Sequence, residues 1–353
     1  MGRDPRKGDS RSGGMEESMS TKEMLDQVEK LLAANSLEEL DSLITQAHVD
    51  KWPSPESEAA LADPEHMWLQ YYRARLEWAR QNWRAAESGF RKLLGQELPV
   101  DLRAQVLRWL GESLHYGGQW QEQLILEQEA LVLSSVLGDD SNRAAIYNLM
   151  GWAHMRQSRV QEALVAFEHS LRLTQGTSSR EQEAWALNNL GVAYLRLGDT
   201  ARALDAHRAS LAIRREEGLR LEEGRSLHNI AEVLVAQGYW RQADKHLHDS
   251  EAIAREINDQ IGLSYVTYTR GQWEKGQGRL EQALSAYRQC LALRGAVGSQ
   301  VLVADAHWAI SDTYRLVGNW LKAAEHAEKA AHAWREVVRP WGTREEARPR
   351  QGI

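Results

Sequence analysis

The sequence predicts an all-α fold, a solenoid of about seven helical hairpins behind an N-terminal helical cap, from three registers that share one period. Gly111, Gly151, Gly191, Ala231, Gly271 and Ser311 stand forty residues apart, and all are small. Seven residues after each come Gly118, Ser158, Gly198, Gly238, Gly278 and Gly318, and five after those come Gln123, Ala163, Ala203, Ala243, Ala283 and Ala323. Independent positions holding one period mark a repeat array, whose core grows in length rather than in diameter.

The elements follow in order. Residues 1–20 are Gly, Ser and charge with almost nothing to bury, and read as a disordered leader. Met15 or Met19 is an alternative start, and a vector-derived extension is another reading of this segment. Residues 21–64 form an N-terminal cap and connector. Met24, Leu25, Val28, Leu31 and Leu32 give one amphipathic pattern. Ser36 and Glu39 have capping-box spacing before a second, apolar at Leu40, Leu43 and Ile44. Pro53, Pro55 and Pro64 mark the connector over 49–64. The array spans 66–337 as hairpins 66–96, 101–137, 142–174, 180–217, 221–257, 260–297 and 300–337. The first is offset by thirty-seven residues, with Ala74, Gln81, Ala86 and Phe90 at the repeat positions. Residues 338–353, rich in Arg and Pro, read as a flexible tail.

Composition narrows the function classes. Hydrophobic residues make up 42% and charged residues 26%, suited to soluble helices. A net charge of −7 argues against a general nucleic-acid binder, which needs a basic face. The single cysteine, Cys290, excludes internal disulfides and cysteine-rich zinc sites. No apolar run is long enough for a membrane span, and the N-terminus lacks an apolar signal core, so a cytoplasmic protein without a membrane partner is expected.

Within a hairpin such as 184–218, Leu187, Leu190, Gly191 and Tyr194 recur at helical spacing. Gly198 can take the left-handed conformation that ends a helix, and Asp199 or Thr200 can cap the next. Gly191 and Ala203 are expected to be small because two helix axes approach there. Trp83, Trp120, Trp240 and Trp320, each two residues past the turn, account for part of an unusual tryptophan count, 14 against 2 Phe, as plugs between hairpins. Helix stops recur at Gly138, Gly176, Gly218, Asn258 and Gly298. The second repeat departs from the pattern at Gln123 and Glu127, which predicts a loose or shifted hairpin there, or a partner contact.

The small residue, turn glycine and alanine, with Phe167, Tyr194, Tyr287 and Tyr314 at bulky positions, resemble the tetratricopeptide repeat over roughly residues 66–337. The period of forty resembles the subclass with a lengthened second helix, found in kinesin light chains, peptide-responsive bacterial regulators and the sensor arms of signalling ATPases. The resemblance implies a right-handed superhelix whose first helices line a concave groove. It also implies that the groove takes a protein or peptide partner.

In that groove the position three before the small residue reads Arg108, Asn148, Asn188, His228, Tyr268 and Trp308. Six before it come Trp185, Arg225, Tyr265 and Asp305, and one after it Trp152 and Asp312. Arg156 and Arg196 follow at the helix end. An Asn amide both donates and accepts, so Asn148 and Asn188 suit a bidentate clamp on an extended backbone, as in related arrays. Trp152, Trp185 and Trp308 would anchor side chains, and Arg156 and Arg196 would favour an acidic segment. The alternative is that these groups are solvated or bond between neighbouring helices. The Lys/Asn/Arg carboxylate clamp of chaperone-binding arrays is not in register.

No Gly-x-Gly-x-x-Gly, P-loop or His-Glu-x-x-His motif is present. His246 and His248 point to different helix faces, His326 and His332 are also wrongly spaced for a shared metal, and Cys290 sits at a small-residue register with Ser170, Ser210 and Ser250. The expectation is therefore a non-catalytic scaffold or adaptor without cofactor or metal. The alternatives are a regulatory sensor array coupled to an effector and a homo-oligomer of such arrays.

Overall fold

The computed structural model describes residues 21–34, 36–51, 63–177, 180–297 and 300–338. The leader 1–20, most of the connector, the helix stop Gly298 and all but the first residue of the tail 338–353 lie outside the described residues. Every regular element among the described residues is a helix. The chain divides into two compact units, Met1–Ser113 and Leu114–Ile353.

The first unit contains α1 (Thr21–Ala33), α2 (Leu37–Lys51), α3 (Pro64–Ala79), α4 (Trp83–Leu94) and most of α5 (Val100–Gly117). Asp63 caps α3 by accepting the Glu65 N–H, with Pro64 at the position where its missing N–H costs nothing. α3 and α4 form a hairpin, and α1 and α2 pack on α3. Val28, Leu40, Ile44, Leu69, Leu76, Phe90 and Leu93 are fully buried. The Tyr72 hydroxyl donates to the Glu29 carboxylate at 2.9 Å, tying α3 to α1.

The second unit continues with α6 (Trp120–Leu137), α7 (Asp140–Arg156), α8 (Val160–Thr174), α9 (Arg180–Arg196), α10 (Thr200–Glu216), α11 (Arg220–Ala236) and α12 (Trp240–Glu256). It ends with α13 (Gln260–Gly276), α14 (Leu280–Val297), α15 (Gln300–Val317) and α16 (Trp320–Val338). Each helix packs on the next, and the first helices α7, α9, α11 and α13 also touch in succession, forming a layer of their own. The turns are one device repeated: Gln81, Gly118, Ser158, Gly198, Gly238, Gly278 and Gly318 all have φ between 60° and 79°. Asp139, Asp199 and Asp259 cap α7, α10 and α13, each accepting a backbone N–H three residues on.

The small register has a more specific cause than approaching helix axes. A Cβ on Gly151, Gly191 or Gly271 would stand 2.3, 2.5 or 2.5 Å from the ring of Phe167, His207 or Tyr287, sixteen residues on in the paired helix. Where that partner is aliphatic the small residue grows: Ala231 clusters with Leu247. Between these hairpins bulk is traded from one position to the other, as close packing demands. A second intra-hairpin bond recurs: Ser210 Oγ, Ser250 Oγ and Cys290 Sγ donate to the carbonyls of Ala184, Gly224 and Ser264. Cys290 is fully buried, and burial pushes its thiol up to about 11, away from thiolate reactivity.

Trp240 plugs the next hairpin, since a Cβ on Gly276 would meet its ring at 2.3 Å, and its carbonyl accepts the Trp273 indole N–H. Trp320 is 67% exposed. The Gln123 region is not loosely packed. Gln123 and Glu127 are completely buried, and Gln123 Nε2 donates to Glu127 at 2.8 Å and to the Leu149 carbonyl at 3.3 Å. His115 Nδ1 meets Gln123 Oε1 at 3.3 Å. Polar groups inside a hairpin need such bonds, and the burial of these two residues removes them as surface contacts for a partner.

Candidate functional site

In the second unit the layer of first helices carries a ladder of side-chain hydrogen bonds. Asn189 Nδ2 on α9 donates to Asn148 Oδ1 on α7 at 3.2 Å. Asn229 Nδ2 on α11 donates to Asn188 Oδ1 on α9 at 2.8 Å. His228 Nε2 on α11 meets Thr269 Oγ1 on α13 at 2.9 Å. Each rung joins residues forty-one apart, one repeat plus one position.

The ladder changes what the two asparagines can offer. Their carbonyl oxygens are occupied, so neither is a free bidentate clamp. Their Nδ2 groups have no partner among the described residues and are not sealed from solvent. Each amide is thus held in one orientation with its donor side uncommitted, Asn148 half-buried and Asn188 8% exposed.

The other sequence-predicted residues sort by environment. Arg156, Arg196 and Arg225 are exposed, as are Tyr265 and Trp308. Trp152 is half-buried and packs edge-on against Phe167, so most of its ring serves the core. Tyr268 is half-buried against Tyr287, with ring centroids 5.5 Å apart. Trp185 is half-buried above the Arg214 guanidinium. His228 stands beside the Tyr265 ring. Arg108 belongs to the first unit, where it lies 4.7 Å from the Trp109 ring.

Residues far apart in sequence share one electrostatic field. Burial raises the Asp305 carboxyl on α15, and Arg294, Arg156 and Arg196 oppose that rise. Asp305 in turn, after burial, raises the Tyr268 hydroxyl. Arg156 also helps to depress His115, whose imidazole burial holds at about 4. The ends of α7 and α9 are therefore electrostatically coupled to α15 within the unit.

Sequence reasoning missed the partners Asn189, Asn229 and Thr269, and the buried arginines Arg214 and Arg294. Both arginines fall twenty-three residues after the small position, at the end of the second helix, where a basic side chain ordinarily reaches solvent. Among the described residues no group of three or more His, Cys, Asp or Glu could hold a metal ion, and no helix is long and apolar enough to cross a membrane.

Tetratricopeptide repeat models match residues 71–141, 143–216 and 222–296. No curated protein matches the chain. Among solved structures, the apo form of the quorum sensor NprR from B. thuringiensis is 12% identical, with a TM-score of 0.73 over 91% of this chain and 90% of that one. The apo form of RapI is 15% identical, with a TM-score of 0.66 over 77% of this chain and 98% of that one. A Rap protein complexed with competence and sporulation factor is 15% identical, with a TM-score of 0.65 over 90% and 98%. These likenesses establish a shared helical solenoid fold. With three matched segments, a constant turn geometry and a fixed small-residue register, the chain belongs to the tetratricopeptide repeat family.

Proposed function

We propose that the first-helix face of residues 114–338 holds an extended peptide or protein segment, and that the protein works as a non-catalytic, cytoplasmic interaction or regulatory module. The observation carrying this reading is the asparagine ladder, which fixes the amides of half-buried Asn148 and buried Asn188 and leaves their Nδ2 donors uncommitted among the described residues. Backbone carbonyls of an extended chain are the acceptors such a row suits. Exposed Tyr265 and Trp308 supply anchor surface, and Arg156, Arg196 and Arg225 supply positive charge. The similar Rap protein is complexed with competence and sporulation factor, and a Rap conjugation gene regulator with the Phr* peptide, which supports a peptide as the class of ligand.

The test is selection of peptides from a random library on the full chain, followed by affinity measurement on two double variants. Asn148→Ala/Asn188→Ala removes the donors and breaks both rungs. Asn189→Ala/Asn229→Ala breaks the same rungs but leaves the donors. A loss of about tenfold or more confined to the first variant supports the face. Equal affinity in both variants would move the binding site elsewhere.

A second reading, self-association, is favoured by the exposed Trp308, Trp320, Leu321 and Trp334 on α15 and α16. Sedimentation of the purified chain across concentration decides it, and a single monomeric species removes it.

A further inference from the structure

Two arginines lie almost wholly inside the second unit without a carboxylate partner. Arg214 is 1% exposed and Arg294 2%, and neither makes an ion pair among the described residues. They stand eighty residues apart, at the same register of two alternate hairpins. Each sits against an aromatic ring of its own hairpin's first helix. The Arg214 guanidinium is 5.3 Å from the Trp185 ring, and that of Arg294 is 5.8 Å from Tyr265 and 4.5 Å from Tyr268. Each donates through Nη1 to a carbonyl of the following hairpin, Glu222 at 2.9 Å and Leu302 at 2.8 Å, and Arg214 Nη1 also reaches Ser226 Oγ at 2.8 Å.

The remaining donors of Arg214 are the informative ones. Its Nε and Nη2 are both buried and both lack a partner. These two nitrogens form one edge of the guanidinium fork, the edge that takes a carboxylate through two parallel hydrogen bonds. On Arg294 the Nε is likewise buried without a partner. The repeat does not require arginine here, because the same register holds Ser134, Thr174, Ala254 and Trp334 in the other hairpins. A cation that the fold does not need and leaves unpaired is a standing cost unless an anion meets it. Burial depresses the Arg214 guanidinium to about 10; the Glu222 carboxylate, Arg225 and Glu181 act on it more weakly, the two acids opposing the fall, and neither acid reaches it as an ion pair. The neighbouring His207, whose imidazole feels the Arg214 charge, also has a buried Nδ1 without a partner.

We infer that Arg214 is a carboxylate receptor of this face. Its Nε–Nη2 edge takes the carboxylate of the bound segment, and the Trp185 ring moves aside to admit it. Arg294, two hairpins on, shares the register but acts on the Asp305 carboxyl and leaves only its Nε buried without a partner, so Arg214 alone carries the inference. The inference rests on the proposed binding face and names its ligand as an acidic peptide. The carboxylate comes from an Asp or Glu side chain or from a free C-terminus, and the probes separate the two.

The experiment uses the full chain and fluorescein-labelled hexaglutamate and hexaglutamine, each with a free or an amidated C-terminus, followed by fluorescence anisotropy. Amidated hexaglutamate is expected to bind, and Arg214→Met to weaken it roughly tenfold to a hundredfold. If the C-terminus is the source, free but not amidated hexaglutamine binds, and the same variant abolishes that difference. Arg214→Met is also expected to melt at or above the wild-type temperature without ligand, because it removes a buried unpaired charge. Failure of that variant to fold, or a clear fall in its melting temperature, makes the arginine structural and overturns the inference. Wild-type affinity of Arg214→Met for every acidic probe overturns it as well. If amidated hexaglutamine binds wild type and variant as tightly as hexaglutamate does, the carboxylate receptor is lost while the peptide-binding face stands.

Discussion

Gly191 lies beneath the imidazole of His207, so close that a Cβ would stand 2.5 Å from the ring. Residues sixteen apart on paired helices therefore act as one packing unit. Gly191→Ala is expected to destabilise the chain by about 1–3 kcal/mol through overpacking. Adding His207→Ala to that variant should recover part of the loss, because the alanine then occupies space the ring has left. Chemical denaturation of the two variants and His207→Ala alone measures the coupling. Additive losses would show that the residues do not share the space.

The same histidine sets a pH dependence. Burial first, then Arg214 and His228, depress His207 from 6.5 to about 3. As pH falls below 6.5 the unfolded chain takes up this proton before the folded chain does. The stability present above pH 6.5 is thus lost progressively as pH falls towards 3. His115, held at about 4, adds a loss of the same sign. His207→Phe keeps a ring over Gly191, as Phe167 does over Gly151, and removes the titration. Its melting temperature should fall less between pH 7 and pH 5 than that of the wild type.

Among the described residues three turns adopt the left-handed conformation without glycine. Gln81, Ser158 and Asn258 have φ of 61°, 60° and 57°. Gln81→Gly and Ser158→Gly should each stabilise by up to about 1 kcal/mol, and Asn258→Gly by less, since Asn tolerates this region. Gly198→Ala, at φ 79°, should destabilise by a similar amount. Thermal melts of the four single variants test the sign at each turn.

The buried Gln123–Glu127 pair predicts strong non-additivity. Glu127→Leu alone leaves Gln123 Nε2 with only its 3.3 Å bond to Leu149 in a dry site. Gln123→Ala alone leaves Glu127 without its amide donor. Each should cost about 1–3 kcal/mol. The double variant restores the small and bulky residues of the other hairpins, and should lie closer to wild type than either single. A double-mutant cycle by denaturant unfolding provides the check.

Much of the fold was legible because each repeat demand is local and met by a narrow choice of residue. The left-handed turn wants glycine, and the sequence shows it at Gly118, Gly198, Gly238, Gly278 and Gly318. The cap at Asp199 was readable for the same reason. The reason for Gly191 was less readable, since it depends on which ring the paired helix aims at it. The pairing of Gly151, Gly191 and Gly271 with rings, against Ala231 with leucine, was nevertheless written in two aligned registers.

The candidate face was legible only in part. Its positions follow from helix periodicity, but the state of each polar group depends on reach between hairpins. For Asn148 and Asn188 the sequence leaves open a clamp or a bond between neighbouring helices, and their oxygens are held by Asn189 and Asn229 on the next first helix. Trp152 was expected to be an anchor and largely serves the core against Phe167. Arg214 escaped notice because an arginine near the end of an amphipathic helix ordinarily snorkels to water, and nothing in its spacing distinguishes it from Arg215.

The lock between Gly191 and His207 lies wholly within one hairpin, whereas the bonds of Arg214 to Glu222 and Ser226 cross to the next. A forty-residue segment cut at the same register in two places therefore carries its own core key with it, and can be duplicated, deleted or transplanted without remaking that key. The cross-hairpin arginine does not travel so freely, because its carbonyl and hydroxyl acceptors belong to the neighbour. Shuffling of hairpins would thus preserve folding units while rewriting the chemistry at their seams, and the seams beside Arg214 and Arg294 are where inherited order matters most.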